Sequence, residues 1–213
     1  RVTHHLSRGP ENAPLEIFWR IIADRTILAG GAIERPIAFP NNDRPGVMMA
    51  SAVRSYVNRF AVAPGQSVSV FTNNDDGHRT ALDLIALGVG VAAVIDTREG
   101  VVAKGNYPLF SGAQVTATNG RLGLSSITIR SKAGSQTLMT DCLAISGGWN
   151  PSVHLTCHMN GRPKWREDIA AFVPTENAVP GLLSIGAARG DFTTHSALQG
   201  GVDAANSVLA DLG

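Results

Sequence analysis

Residues 68–96, VSVFTNNDDGHRTALDLIALGVGVAAVID, constrain the fold more than any other stretch of the chain. Residues 68–72 and 89–95 are short runs rich in β-branched and apolar residues. Between them, residues 79–87 carry apolar side chains at helical spacing, and Gly88 is placed to end the helix. Two continuously apolar strands joined by a helix predict a βαβ unit in a parallel sheet covered on both faces, as in dinucleotide-binding domains. Asp96 closes the second strand, where such a domain often holds a ribose hydroxyl.

The turn between strand and helix opposes that reading. A pyrophosphate is cradled by a glycine-rich turn that lets amide N–H groups approach the phosphates at a helix N-terminus. Residues 73–77 read Asn-Asn-Asp-Asp-Gly, with one glycine and two carboxylates where the phosphates would lie. Asp75 and Asp76 suit the start of a helix and repel an anion. The turn is therefore expected to be structural, with any nucleotide held elsewhere.

Composition sets the outer limits. A chain of 213 residues has length for one large domain or two small ones. With 18 basic and 17 acidic residues, no electrostatic case exists for nucleic acid or an anionic membrane, and no apolar run reaches spanning length. Cys142 and Cys157 form no CxxC pair and read as inert thiols in a reducing compartment. The chain opens on Arg1 with no methionine, which reads as a piece of a longer polypeptide, and no basic start precedes a signal-like core.

In chain order, residues 7–14 form a turn-rich connection. Residues 15–23 and 26–28 are expected to make a hairpin about Asp24 and Arg25, and residues 36–45 are a proline-rich linker. Residues 48–60 have helical periodicity, with Met49, Val53 and Val57 inward and Ser51 or Arg54 toward solvent. Beyond Asp96, residues 113–118, 124–130 and 136–140 alternate as strands of an antiparallel meander laid over the parallel sheet. Residues 142–146 form one more buried strand.

A strand, a glycine pair and a crossover occur twice, at residues 27–36 and 143–151. The repetition predicts one domain inserted into another with the two crossings side by side. Residues 46–146 would be the insert, and residues 1–45 and 147–213 the host. Spacing alone leaves two readings of Gly30 and Gly31 open: close approach by a ligand, or a crowded crossover. The fold expected is thus a Rossmann-like α/β domain of parallel sheet, helices and antiparallel meander, inserted in a partial dinucleotide-binding domain.

Residues 181–194 supply the second informative stretch, a strand running through small residues into a long Ala- and Gly-rich helix. Its readings are a nucleotide contact, aided by Arg189, or a tight strand-to-helix turn. His154 and His158 stand four apart around Cys157, but Pro151 and the polar residues 161–164 argue against a stable helix, so no metal is expected.

Residues 29–36, AGGAIERP, resemble the ATGAxxRP crossover of two-dinucleotide-binding flavoprotein reductases, with Gly30 where Thr is usual. Residues 181–191 resemble their late Gly-Asp motif, with Gly186 matched and Ala187 in the Asp position. FPNNDRPGVM, VFTNNDDGHRTALDL and AISGGWNPSVHL together resemble the α subunits of heterotetrameric sarcosine oxidases, across essentially the whole chain. Opine and octopine oxidases and hydrogen cyanide synthase are weaker matches.

That resemblance implies a bacterial, cytoplasmic oxidoreductase acting on CH–NH groups by oxidative demethylation of sarcosine. NAD would be bound noncovalently on this subunit, with FAD and FMN outside or at the border of this chain. A preceding GxGxxG unit, a tetrahydrofolate-using region beyond the C-terminus and the other oxidase subunits are the partners implied. Ala187 lacks the carboxylate that touches a flavin ribitol, which favours NAD over FAD. Carried onto matching positions, NAD contacts fall on Gly186, Ala187, Phe192 and Thr194, with Gly30 and Gly31 as backbone neighbours. No catalytic residue is implied, and the isolated piece is expected to be inactive. The alternative is a structural and assembly module of a related amine or opine oxidase with vestigial nucleotide sites.

Overall fold

A computed structural model describes residues 2–5 and 16–213. The connection expected at residues 7–14 lies outside the described residues. Strands β1 (Val2–His5), β2 (Glu16–Trp19), β3 (Thr26–Leu28), β4 (Ala32–Glu34) and β5 (Val47–Met49) precede helix α1 (Ala50–Phe60). Next come β6 (Ser67–Thr72), α2 (Asp75–Ala86), β7 (Gly90–Asp96) and β8 (Leu109–Ser111), then β9 (Gln114–Asn119), β10 (Ser126–Ser131) and β11 (Gly134–Met139). The chain continues through β12 (Cys142–Ser146), β13 (Trp149–Pro151), α3 (His154–His158), β14 (Lys164–Arg166), β15 (Ala171–Val173), β16 (Leu182–Ser184) and α4 (Thr194–Leu212).

Two compact units divide the chain. The first comprises Arg1–Gly30, Val153–Lys164 and Pro174–Gly213, and the second Gly31–Ser152 and Trp165–Val173.

The second unit is built on a five-stranded sheet in the order β5-β12-β6-β7-β8, parallel at every pairing. Alternation along each strand explains the continuous apolar runs. Val68, Val70, Cys142 and Ala144 face the helices, where they pack with Val53, Val57, Ala81 and Leu84. Their neighbours Phe71, Leu143 and Ile145 face the opposite way, onto Val115, Ile127 and Ile129 of the three-stranded meander β11-β10-β9. Both faces are thereby closed, and burying a side chain such as Leu84 contributes roughly 1.5–3 kcal/mol over leaving it exposed.

Local chemistry sets the element ends. Asn74 caps α2, its Oδ1 accepting from Asp76 N at 2.9 Å, and Asp75 and Asp76 fill the first turn, where negative charge complements the helix dipole. The helix therefore starts at Asp75, ahead of the expected Arg79. Gly88, at φ +76°, takes the chain out of it as expected. Residues 47–49 are a strand, so α1 begins at Ala50; Val53 and Val57 point inward, while Arg54 reaches across to Asp83 at 2.7 Å.

The expected hairpin of residues 15–28 does not form. β2 pairs antiparallel with β1, and β3 instead pairs parallel with β16 in the first unit. A two-residue hairpin turn needs left-handed residues such as Asn-Gly, which Asp24-Arg25 does not supply. Arg25 is committed to Asp211 near the end of α4, at 3.1 Å.

The two crossover segments do run side by side. β4 pairs antiparallel with β13, Glu34 opposite Trp149 and Ala32 opposite Pro151. Arg35 accepts from Gly147 N at 2.7 Å through its carbonyl and donates from Nε to Gly147 O at 2.9 Å. A Cβ on Gly147 would stand 2.5 Å from Arg35 O, so this glycine exists for backbone contact.

Candidate functional site

Two strand-to-helix turns can be weighed as nucleotide sites, one in each unit. In the first unit, Leu182 to Ser184 run alongside Thr26 to Leu28, so both strands end together. Ile185 N donates to Leu28 O at 3.0 Å, which fixes Gly186 beside the exit of the Ala29-Gly30 segment. Ligands of open α/β sheets settle at such carboxyl ends. Gly186 is buried at φ +57° and opens a 3-10 turn, Gly186–Arg189. Gly190 N and Asp191 N close that turn onto the carbonyls of Ala187 and Gly186, both at 3.1 Å. Thr193 then caps α4, its Oγ1 accepting from Ser196 N at 3.1 Å.

Gly186, Ala187, Phe192 and Thr194 thus gather at one strand end and one helix start, with Gly30 two residues past the end of the adjoining strand β3. Gly31 belongs to the second unit, where its carbonyl accepts from Ser152 N at 3.0 Å. A Cβ there would meet nothing within 4 Å, so its φ of +72° is what calls for glycine. Arg189 pairs with Glu176 at 3.1 Å beside a 240 Å³ cavity lined by Thr175, Val179, Leu182 and Ser184.

The second unit's turn joins β6 to α2. Thr72, Asn74 and Gly77 occupy the three glycine positions of a G-x-G-x-x-G turn. The third glycine is retained for close helix–strand packing, since a Cβ on Gly77 would lie 2.4 Å from the Thr72 side chain. Gly77→Ala is expected to cost about 1–3 kcal/mol by overpacking, checked by urea unfolding, with Thr72→Ser recovering part of the loss. The other two positions are filled. Thr72 Oγ1 accepts from Asn74 N at 3.1 Å, and Asn74 Nδ2 donates to Ser146 O at 3.0 Å, across the gap between the carboxyl ends of β6 and β12. Trp149 Nε1 donates to Asp76 Oδ2 at 2.5 Å. This is the point at which the strand order reverses and a dinucleotide would enter.

Asp96 is equally occupied, contrary to the ribose-binding position its place on β7 indicates. It is fully buried. Oδ1 accepts from the backbone N and Nε of Arg98 at 2.9 and 3.1 Å, and Oδ2 from His78 Nε2 and Arg98 NH2, both at 2.8 Å. The buried His78 ring meets Tyr107 Oη at 2.9 Å through Nδ1, and that oxygen accepts from Lys104 N at 3.1 Å. Four donors on one carboxylate leave no lone pair for a ligand hydroxyl. His78 shares the inward stripe of α2 with Ala81 and Leu84, and a polar side chain on a buried stripe demands a partner. That signal was present in the sequence, with the acid ending β7 as the partner.

In front of α2, Asp75 accepts from Lys104 Nζ at 2.6 Å and Arg98 NH2 at 2.9 Å. The Lys104 contact first, then Arg98, hold its carboxyl down at about 2. Burial works to raise Asp96, but the hydrogen bonds from Arg98 and His78 outweigh it and the group lies below its ordinary value. Carboxyls lowered in the folded state stabilise it above their unfolded value and lose that contribution as pH falls through the folded one. Thermal unfolding is therefore expected to fall steeply between about pH 4 and pH 2, and Asp75→Asn to flatten the lower part of that slope.

Burial pushes the Cys142 thiol up to about 12, with Asp141 adding to the effect, so it is inert, whereas Cys157 is exposed. His154 to His158 form a short helix after all, but among the described residues no three His, Cys, Asp or Glu side chains converge as metal ligands. No helix of the described residues is long and apolar enough to cross a membrane.

No protein-family model matches the chain. It is 40% identical, over its whole length, to a segment of the sarcosine oxidase α subunit of Rhizobium meliloti strain 1021. It is also 41% identical over 94% of its length to the α subunit from Corynebacterium sp. strain P-1. The chain spans 22% of the length of each of these relatives. Among solved structures, the thioredoxin reductase of T. acidophilum superposes with a TM-score of 0.68 at 17% identity, covering 87% of this chain and 64% of that one. The chain shares the fold of that reductase and is a homologue of one segment of the sarcosine oxidase α subunits.

Proposed function

We propose that this chain is the dinucleotide-binding and scaffolding segment of the α subunit of a heterotetrameric sarcosine oxidase, which oxidatively demethylates sarcosine. The observation that carries this reading is 40% identity to such a subunit along the entire chain. NAD is held noncovalently at the paired strand ends of the first unit, by Gly186, Ala187, Phe192 and Thr194, with Gly30 nearby. A buried glycine in left-handed conformation, followed by a small residue and the start of a 19-residue helix, fits close backbone approach to a pyrophosphate. The full cradle needs a preceding GxGxxG unit, and residues 46–146 form a domain inserted in that split host. NAD binding is this segment's contribution, while substrate oxidation belongs to flavins held outside it. No residue here is assigned a catalytic role.

The scaffolding part of the reading is supported by α4, which leaves Leu198, Val202, Leu209 and Leu212 more than half exposed along one side. An apolar stripe of this kind fits contact with further parts of the same polypeptide or with other subunits. The self-filled turn of the second unit favours a purely structural role for that unit. Acid release of nucleotide from the purified α subunit, followed by chromatography, tests the proposal. NAD is expected; FAD in its place, or no nucleotide, would count against it.

A further inference from the structure

Asp75, Arg98 and Lys104 come from two separate segments, and both cations reach one carboxylate. Each cation takes a different oxygen, at 2.9 and 2.6 Å, at the first turn of α2. This is an arrangement in which an anion's oxygens are shared between a guanidinium and an ammonium. Arg98 is also braced from behind by Asp96, which presents its NH2 toward Asp75 rather than leaving it to wander. All three side chains are partly open to solvent, so the position is reachable from outside.

From this geometry we propose that Asp75 is a built-in anion: its carboxylate occupies the position between Arg98 and Lys104 at the first turn of α2, and closes the second unit's nucleotide turn from within. The ligand class it shuts out is the phosphoryl group of a nucleotide. The inference rests on the reading that NAD is held by the first unit. It also explains why two carboxylates at this turn are compatible with a dinucleotide-binding fold. Asp76 is engaged by Trp149 and Arg79, whereas Asp75 answers only cations that a phosphate would also satisfy.

The test is to titrate inorganic phosphate into the wild-type chain, Asp75→Asn and Asp75→Ser. Binding is followed by calorimetry and by the indole N–H resonance of Trp149, whose acceptor is the neighbouring Asp76. Both variants are expected to bind phosphate in the millimolar range, about ten-fold or more tighter than wild type, with affinity falling as sodium chloride is raised. Adding Lys104→Gln to Asp75→Asn should abolish the gain. Serine is well tolerated in a first turn, so the second variant guards against misfolding of the first. No gain in a variant whose circular dichroism matches wild type, or a gain that survives Lys104→Gln, overturns the proposal. NAD titrated into the same variants separates the two readings. An NAD affinity that tracks residue 75 would overturn the first-unit site, whereas a missing phosphate gain with NAD unaffected overturns only the present inference.

Discussion

Asp96→Ala is expected to lower the unfolding free energy by about 3–5 kcal/mol, a large part of the roughly 5–15 kcal/mol of a typical domain. The substitution removes the common acceptor of His78 Nε2, Arg98 Nε, Arg98 NH2 and the Arg98 backbone N–H. An imidazole N–H is left buried without a partner, and Arg98 loses the group that orients it. Asp96→Asn keeps one acceptor oxygen and should cost less, about 1–3 kcal/mol. Urea unfolding followed by circular dichroism measures both. A loss below about 1 kcal/mol for Asp96→Ala would mean that the network contributes little to holding α2 on β7.

The second large effect is on binding. In a chain carrying the preceding GxGxxG unit, Gly186→Val is expected to weaken NAD binding about ten-fold or more. Gly186 sits at φ +57°, where a β-branched residue is strained, and it is buried in the turn. A Cβ there would touch Ala197 at 3.5 Å, an ordinary contact, so backbone conformation rather than crowding drives the loss. Asn74→Gly, made in the other turn, should leave NAD affinity unchanged if NAD is held in the first unit as proposed. Calorimetry with NAD checks both variants.

Much of the architecture could be read from period and punctuation. The apolar runs around residues 68–72 and 89–95 announced a sheet covered on both faces, and Phe71 and Val70 bear that out by facing opposite layers. Repetition of strand, glycine pair and crossover foretold the pairing of β4 with β13. The misassigned hairpin shows the limit of local reading. Three residues, Thr26 to Leu28, form a strand because residues 182–184 lie beside them, and a separation of that size leaves no periodic trace.

Charge alone sets the acidic turn against phosphate in the sequence, and the fold adds further contacts within it. Asn74 bridges to Ser146, 72 residues away, and Asp75 is claimed by Arg98 and Lys104. The partners of Asp96 were not legible because strand-end position says where a carboxylate lies and not which donors reach it. Only the folded chain brings His78, Arg98 and Tyr107 around that group. At residues 186–194 the sequence identified the small-residue turn, and the fold adds its placement beside the end of β3.

Calorimetric titration of NAD into this chain, beside a version extended N-terminally through a GxGxxG unit, tests the central claim most directly. The account predicts binding to the extended chain that Gly186→Val removes and Asn74→Gly does not. Equal binding to both chains, lost on substitution at Asn74 and not at Gly186, would place the nucleotide in the second unit and contradict it.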